Sequence, residues 1–177
     1  MTKVSLCSAA LCAMFFIGTA QAENVEIYLL DLLDNTQNGY CIDISGGQGA
    51  QADPANGLQG HTCYSPSGAL FVDQTFDTDR FSDGILYMPD FDVCAQVARA
   101  DAGASVELAA CDGSEAQRFV FSGEGAITPA TAPEMCLTVG EDTRTGRSVT
   151  NQIKALTVET CSDTNAATQT WGVRTAD

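Results

Sequence analysis

Short stretches in which apolar and polar residues alternate recur along this chain, and most of them begin or end at a cysteine. The order cysteine, apolar, variable, apolar occurs at 41–44, 94–97 and 136–139. Alternation with a period of two is typical of a half-buried β-strand. Residues 25–30 form a further predicted strand, which the Asn38-Gly39 pair separates from the first of these strands by a turn. The sequence therefore predicts an all-β protein.

Each cysteine strand is followed by two further elements, and the whole set occurs three times. A second strand ends at or near Cys63, Cys111 and Cys161. A third strand then carries glutamine, any residue and an aromatic residue. These motif residues are Gln74, Phe76, Gln117, Phe119, Gln169 and Trp171. The copies lie about 40–50 residues apart, a period typical of repeat architectures, and we interpret residues 23–177 as one domain of three units.

The first 22 residues have the form of an export signal. Lys3 precedes an apolar stretch at 4–18, and Ala20-Gln21-Ala22 has the small-x-small pattern of a signal peptidase site. A retained membrane anchor is the alternative, but the apolar stretch is short for a membrane span. We therefore predict a signal peptide at 1–22 and a secreted or periplasmic mature chain.

The cysteines indicate disulfide bonds. The chain has eight cysteines, of which Cys7 and Cys12 lie in the predicted signal peptide. The other six belong to an exported chain, where cysteines pair, although their number alone does not fix the pairing. The repeat favours pairing within units, which gives Cys41–Cys63, Cys94–Cys111 and Cys136–Cys161. Each disulfide would close a loop of the chain and would thereby stabilise the fold by roughly 3 kcal/mol.

The charge excludes several classes of partner. The chain has 23 acidic and 8 basic residues and a net charge of −15. Such a surface repels nucleic acid and anionic lipid, and its simplest role is solubility. Since no later apolar stretch is long enough to cross a bilayer, we predict neither a nucleic-acid partner nor a membrane span in the mature chain.

With three copies of the glutamine-x-aromatic motif, each in register with a cysteine pair, the chain resembles ricin B-type lectin domains. The resemblance implies a β-trefoil: three four-stranded units around a pseudo-three-fold axis. It places Phe76, Phe119 and Trp171 in the central core, so we interpret Trp171 as a core residue rather than a sugar platform. It also implies binding of a neutral glycan, most often of the galactose type.

The same resemblance implies one shallow sugar site per unit, and the three units differ in what they keep of it. The site uses an aspartate after the first cysteine, a stacking aromatic before the second, and flanking polar residues. In the first unit these positions hold Asp43, Gln59, His61, Asp73 and Gln74. In the second unit they hold Gln96, Glu107, Ala109 and Ala116. In the third unit they hold Thr138, Thr157, Glu159 and Thr168. Because those units lack both the aspartate and the ring, we predict at most one sugar site.

Each candidate residue also has a structural interpretation. Asp43 could bond nearby backbone N–H groups in a turn, and His61 could be an ordinary exposed side chain. Asp73 stands where the family has asparagine, and a second carboxylate near Asp43 would weaken sugar binding or favour a bound cation. Gln74, Gln117 and Gln169 recur in all units and are therefore structural first.

The sequence offers little for catalysis. His61 is the only histidine, no nucleophile-elbow motif is present, and the predicted disulfides leave no free thiol after export. The acidic run at 77–84 departs from the EF-hand spacing, and we interpret it as a solvated loop. We expect no enzyme, cofactor or metal, but a lectin-like module.

Two other functions remain open. One is a degenerate trefoil that serves as a protein-interaction subunit of a secreted assembly or toxin, and the other, ranked last, is a protease inhibitor. Since a single shallow sugar site binds weakly, a lectin of this kind is expected to form a homo-oligomer or join a protein partner.

Overall fold

The computed structural model describes residues 23–46, 49–65 and 72–175, and the predicted signal peptide lies outside these residues. Short strands joined by turns make up most of the described chain. In order they are β1 (Asn24–Leu29), β2 (Tyr40–Ile44), β3 (Leu58–Thr62), β4 (Phe76–Asp77), β5 (Tyr87–Met88), β6 (Val93–Gln96), β7 (Ala104–Ser105), β8 (Glu107–Ala110), β9 (Phe119–Val120), β10 (Glu124–Gly125), β11 (Thr128–Pro129), β12 (Met135–Val139), β13 (Arg144–Thr145), β14 (Gln152–Thr160) and β15 (Trp171–Arg174). One α-helical turn, α1 (Ala166–Gln169), and five 3₁₀ helices (Pro54–Asn56, Val72–Gln74, Thr78–Asp83, Glu115–Gln117 and Asp163–Asn165) connect them.

Three antiparallel hairpins repeat along the chain, and a disulfide closes each of them. They are β2–β3, β6–β8 and β12–β14. The bonds are Cys41–Cys63, Cys94–Cys111 and Cys136–Cys161, with Cα–Cα distances of 4.9, 5.1 and 5.0 Å. The predicted pairing within units is therefore confirmed.

The remaining strands join the three units to one another. β1 pairs with β15 near the C-terminus and also with β4, and β9 pairs with β11. An ion pair between the half-buried Arg174 and the buried Glu26 supports the first junction, with Arg174 Nε 3.0 Å from Glu26 Oε2. Three disulfide-closed hairpins linked by short strands form a β-trefoil, and the predicted all-β trefoil is confirmed. Among the described residues no helix is both long and apolar enough to span a membrane.

The aromatic residue of each repeat lies in the common core. Phe76, Phe119 and Trp171 are 0, 3 and 0% exposed. Trp171 also satisfies its indole N–H by donating to the Leu137 carbonyl oxygen at 3.0 Å. The interpretation of Trp171 as a core residue is therefore confirmed.

The glutamine of each repeat is hydrogen-bonded to the backbone at the end of its hairpin. The prediction that it lies in a strand is wrong. It ends a helical turn, which directs its side chain back over the hairpin. Each amide donates to the carbonyl just before the closing cysteine, and each Oε1 accepts from a backbone N–H just after it. Gln74, Gln117 and Gln169 are buried and structural in this sense.

We expect Gln117→Ala to lower the free energy of unfolding by about 1–3 kcal/mol, because it leaves the Ala110 carbonyl and the Asp112 N–H without their partner. Urea denaturation measures the change. Gln96→Ala in the same hairpin removes only an exposed bond to Glu107 and should cost less than about 0.5 kcal/mol. Equal effects of the two substitutions would contradict the stabilising role of the Gln117 hydrogen bonds.

The acidic run at 77–84 forms a capped helical turn. Asp77 caps the 3₁₀ helix Thr78–Asp83 by accepting from the Asp79 N–H at 2.9 Å, and Gly84 ends it with φ +75°. Arg80 lies 3.9 Å from Asp83. The Asp77 carboxylate therefore has a structural partner, and the predicted solvated loop is a short helix.

Candidate functional site

A cavity of about 550 Å³ opens beside the hairpin of the first unit. Asp43, Gln59 and His61 line it, and Gln74 contacts Asp43 and Asp73 contacts the cavity-lining Gly49. The structure therefore brings all five predicted residues to one place. A cavity of about 610 Å³ between the second and third units contains none of them.

Asp43 lies at the base of this cavity with its carboxylate held in place. Strand pairing sets it opposite Gln59, whose amide donates to Oδ1 at 3.0 Å, and Gln74 donates to Oδ2 at 2.9 Å. These donors are side-chain amides, so the interpretation of Asp43 as a carboxylate that binds backbone N–H groups is wrong. Each carboxylate oxygen keeps a further lone pair for a ligand hydroxyl.

The surroundings of Asp43 make its ionisation sensitive to pH near neutrality. The side chain is 1% exposed, and burial is the main reason that its pKa rises from 3.8 to about 7. The amides of Gln59 and Gln74 oppose this rise, and the negative charge of Asp73 adds to it. A buried carboxylate without a cation partner disfavours its charged form.

His61 is buried beside Asp43, and its interpretation as an ordinary exposed side chain is wrong. It is 6% exposed, and Nδ1 lies 2.9 Å from the Thr62 carbonyl oxygen. Burial lowers its pKa below the usual 6.5. A neutral ring that donates from Nδ1 to a carbonyl leaves Nε2 as an acceptor.

Tyr64 adds a second ring that the motif comparison missed. Its centroid lies 5.5 Å from that of His61, with the planes tilted by 40°, and the side chain is half-buried at the cavity wall. Burial raises its pKa to about 12, so the phenol is neutral. The residue after the closing cysteine is Asp112 in the second unit and Ser162 in the third. The sequence could have pointed to Tyr64, because it is aromatic at a position that holds a polar residue in the other two units.

Asp73 anchors the loop that borders the cavity. It is fully buried, and Oδ2 accepts from the Gly49 N–H at 2.8 Å, while Oδ1 has no hydrogen-bond partner among the described residues. Within the described part of the chain, the one group of three possible metal ligands within 4.8 Å is Glu26, Cys41 and Cys63. Both cysteines of that group are in a disulfide, so it offers no thiolate to a metal.

The opposite wall of the cavity comes from the third unit, which sequence reasoning also missed. β13 pairs with β14, and the intervening turn places Arg147 and Asn151 at the cavity. Thr62 ties this turn to β3, because its hydroxyl donates to the Thr150 carbonyl oxygen at 2.9 Å and accepts from the Gln152 N–H at 2.8 Å. Arg144 donates to Gln59 Oε1 at 3.3 Å.

The other two hairpins have the same register with different chemistry. In the second unit, Gln96 faces Glu107, and Ala109 faces Cys94. In the third unit, Thr138 faces Thr157, and Glu159 faces Cys136. These pairs match the positions of Asp43 with Gln59 and of His61 with Cys41. The predicted correspondence therefore holds geometrically, and neither hairpin places a ring opposite its first cysteine.

Comparisons with known proteins identify the class. The model of the ricin-type beta-trefoil lectin domain matches residues 82–177, more than half of the chain. The chain therefore belongs to the ricin-type β-trefoil lectin domain family. The match covers the second and third units, whereas the cavity described above centres on the first.

Solved structures support the same fold. The agglutinin from Abrus precatorius aligns with a TM-score of 0.58 and 19% identity over 95% of this chain and 51% of the agglutinin chain, so this chain spans about half of its length. The mdaA-1 domain aligns with a TM-score of 0.62 and 18% identity, over 94% and 98% of the two chains. An earthworm lectin C-terminal domain mutant, solved in complex with 6'-sialyllactose, aligns with a TM-score of 0.54 and 16% identity. The alignment covers 86% of this chain and 98% of the earthworm chain. A comparison with curated proteins gave no significant match.

Proposed function

We propose that this chain is an exported, non-catalytic carbohydrate-binding module with a single glycan site, located in the first unit. One observation carries the proposal: the first-unit cavity combines a buried carboxylate, oriented by two amides, with the adjoining rings of His61 and Tyr64. Carboxylates accept sugar hydroxyls through strong charge-assisted bonds, and aromatic rings pack against the apolar face of a sugar.

The geometry gives each residue a role. Asp43 accepts hydroxyl protons, and Gln59 and Gln74 orient it for that task. His61 and Tyr64 supply apolar surface, and His61 Nε2 is a further acceptor. Sugar binding by the earthworm lectin relative and the family membership support a glycan as the ligand, and the family resemblance favours a galactose-type sugar.

A single site of this kind has a consequence for assembly. A single shallow sugar site binds weakly, and several linked sites are needed for firm attachment. We therefore propose that the exported protein acts as a homo-oligomer or together with a protein partner.

A glycan-array screen of the refolded mature protein, beside its Asp43→Ala variant, tests the proposal. We expect a signal for the mature protein and at least about a hundredfold weaker binding for Asp43→Ala, the cost of removing a charged hydrogen-bond acceptor. Gln96→Ala, the same hairpin position in the second unit, is the matched control and should bind as the unaltered protein does.

The contradictory result is silence from all three proteins while their disulfides are intact. That result would favour the alternative, a degenerate trefoil that acts as a protein-interaction subunit. Equal loss in Asp43→Ala and Gln96→Ala would instead contradict the placement of the site in the first unit.

A further inference from the structure

Two arginines lie at the glycan cavity or next to it, and neither has a carboxylate partner among the described residues: Arg147 lines the cavity, and Arg144 contacts the lining residue Gln59. Arg147 lines the cavity, and its side chain makes no hydrogen bond or ion pair with any residue that the structure describes. The described hydrogen bond of the Arg144 guanidinium is to the neutral amide oxygen of Gln59. In a chain with 23 acidic residues against 8 basic ones, two guanidinium groups at and beside one cavity, neither with a described carboxylate partner, indicate a use for positive charge there.

The pairing of β13 with β14 holds the turn that carries Arg147 at the cavity, with Arg144 beside it. Arg144 begins β13 and pairs in register with Ile153, and Gly146 donates a backbone hydrogen bond to the Asn151 carbonyl oxygen across the turn. Thr62 of β3 fixes the same turn to the first unit through its hydroxyl. The positive charge is therefore part of the folded site, although it comes from a different unit.

The charges of the cavity are arranged in two parts. Asp43 lies at its buried base, whereas Arg144 and Arg147 are exposed. The arginines act electrostatically on the pocket residues, Arg144 on His61 and Arg147 on Tyr64. A ligand that fits both parts has hydroxyls at one end and an anionic group at the other.

We propose that the site selects sugars that carry a carboxylate, such as a terminal uronic or sialic acid, an inference that rests on the proposed glycan-binding function. Asp43 accepts hydroxyl protons at the base, and the guanidinium groups of Arg144 and Arg147 bind the sugar carboxylate. A guanidinium matches a carboxylate with two parallel hydrogen bonds, which are stronger than bonds between neutral groups.

The net charge of −15 is compatible with this selectivity and restricts it. Surface charges farther than about 8–10 Å from the ligand are largely screened at physiological ionic strength. The two adjacent arginines therefore dominate the electrostatic interaction with a single sugar carboxylate. A polyanion reaches well beyond them and meets the acidic surface. The site is thus suited to a single acidic sugar at the end of a glycan.

Matched pairs of sugars test the proposal by isothermal titration of the mature protein. Methyl galacturonide and methyl galactoside differ only at C6, and sialylated and unsialylated lactose form a second pair. We expect the acid to bind at least about fivefold more tightly than its neutral partner in one pair, a preference that falls as salt is raised from about 20 to 500 mM. The double variant Arg144→Gln/Arg147→Gln should reduce the preference to about onefold.

The control is Arg99→Gln, which removes one positive charge from an exposed ion pair of the second unit and should keep the preference. Equal affinity for acid and neutral partner, or a preference that survives the double variant, overturns the inference while leaving the glycan site in place. Binding of neither member of any pair overturns the proposed function and this inference together.

Discussion

Replacing Trp171 with alanine is expected to lower the free energy of unfolding by about 3–5 kcal/mol, the typical cost of removing a large buried aromatic side chain. Trp171 is fully buried and is the largest side chain of the core. The change opens a cavity where the units meet and leaves the Leu137 carbonyl oxygen without its indole donor. Urea denaturation at constant pH measures the loss.

Two further variants make this expectation specific. Trp171→Phe keeps most of the apolar volume but not the indole donor, and it should cost clearly less than Trp171→Ala, so a measurable variant remains if the alanine protein does not fold. Val120→Ala alters a side chain that is 60% exposed and should cost less than about 0.5 kcal/mol. A small effect of Trp171→Ala on stability, together with loss of glycan binding, would show that the residue serves the ligand.

The three hairpins, their disulfides and the aromatic core were predictable because each depends on a local pattern that occurs three times. Alternation around Cys41, Cys94 and Cys136 marks the strands, and repetition assigns each cysteine its partner. The position of Trp171 in the third copy of the motif identified it as core. Local spacing, internal comparison and the resemblance to ricin-type domains were together sufficient for these features.

The cavity wall that carries Arg147 and Asn151 was not predictable in the same way. These residues lie about 100 positions after Asp43 in the sequence, and only the pairing of β14 with β3 brings their turn to the first unit. The pattern within a unit does not contain contacts between units. The burial of His61 has the same cause, since Ile153 of β14 pairs with it from the third unit.

The affinity of the proposed glycan site is expected to increase with pH up to about 7 and then level off. The pKa of Asp43 is raised to about 7, chiefly by burial, and only the ionised form offers both oxygens as acceptors. If binding requires that form, affinity falls by about tenfold for each pH unit below the pKa. Titration with a neutral sugar from pH 5 to 8 measures this dependence without a change in ligand charge.

Stability should change in the opposite direction over the same range. The folded-state pKa of Asp43 lies above its unfolded value of 3.8, so the folded state holds the proton more tightly. This contribution to stability is complete below about pH 4 and is lost as the pH rises to about 7, with a limiting slope of about 1.4 kcal/mol per pH unit. The lowered pKa of His61 acts oppositely, since its contribution is lost as the pH falls below 6.5.

The Asp43→Asn variant separates these two groups. Subtracting its unfolding free energy from that of the unaltered protein at each pH removes the His61 contribution that both share. The difference should favour the unaltered protein most near pH 4 and decline to a constant value above about pH 7, while glycan affinity rises over that interval. A flat difference would mean that Asp43 is ionised throughout, and the site would then bind neutral glycans equally well at pH 5 and pH 8.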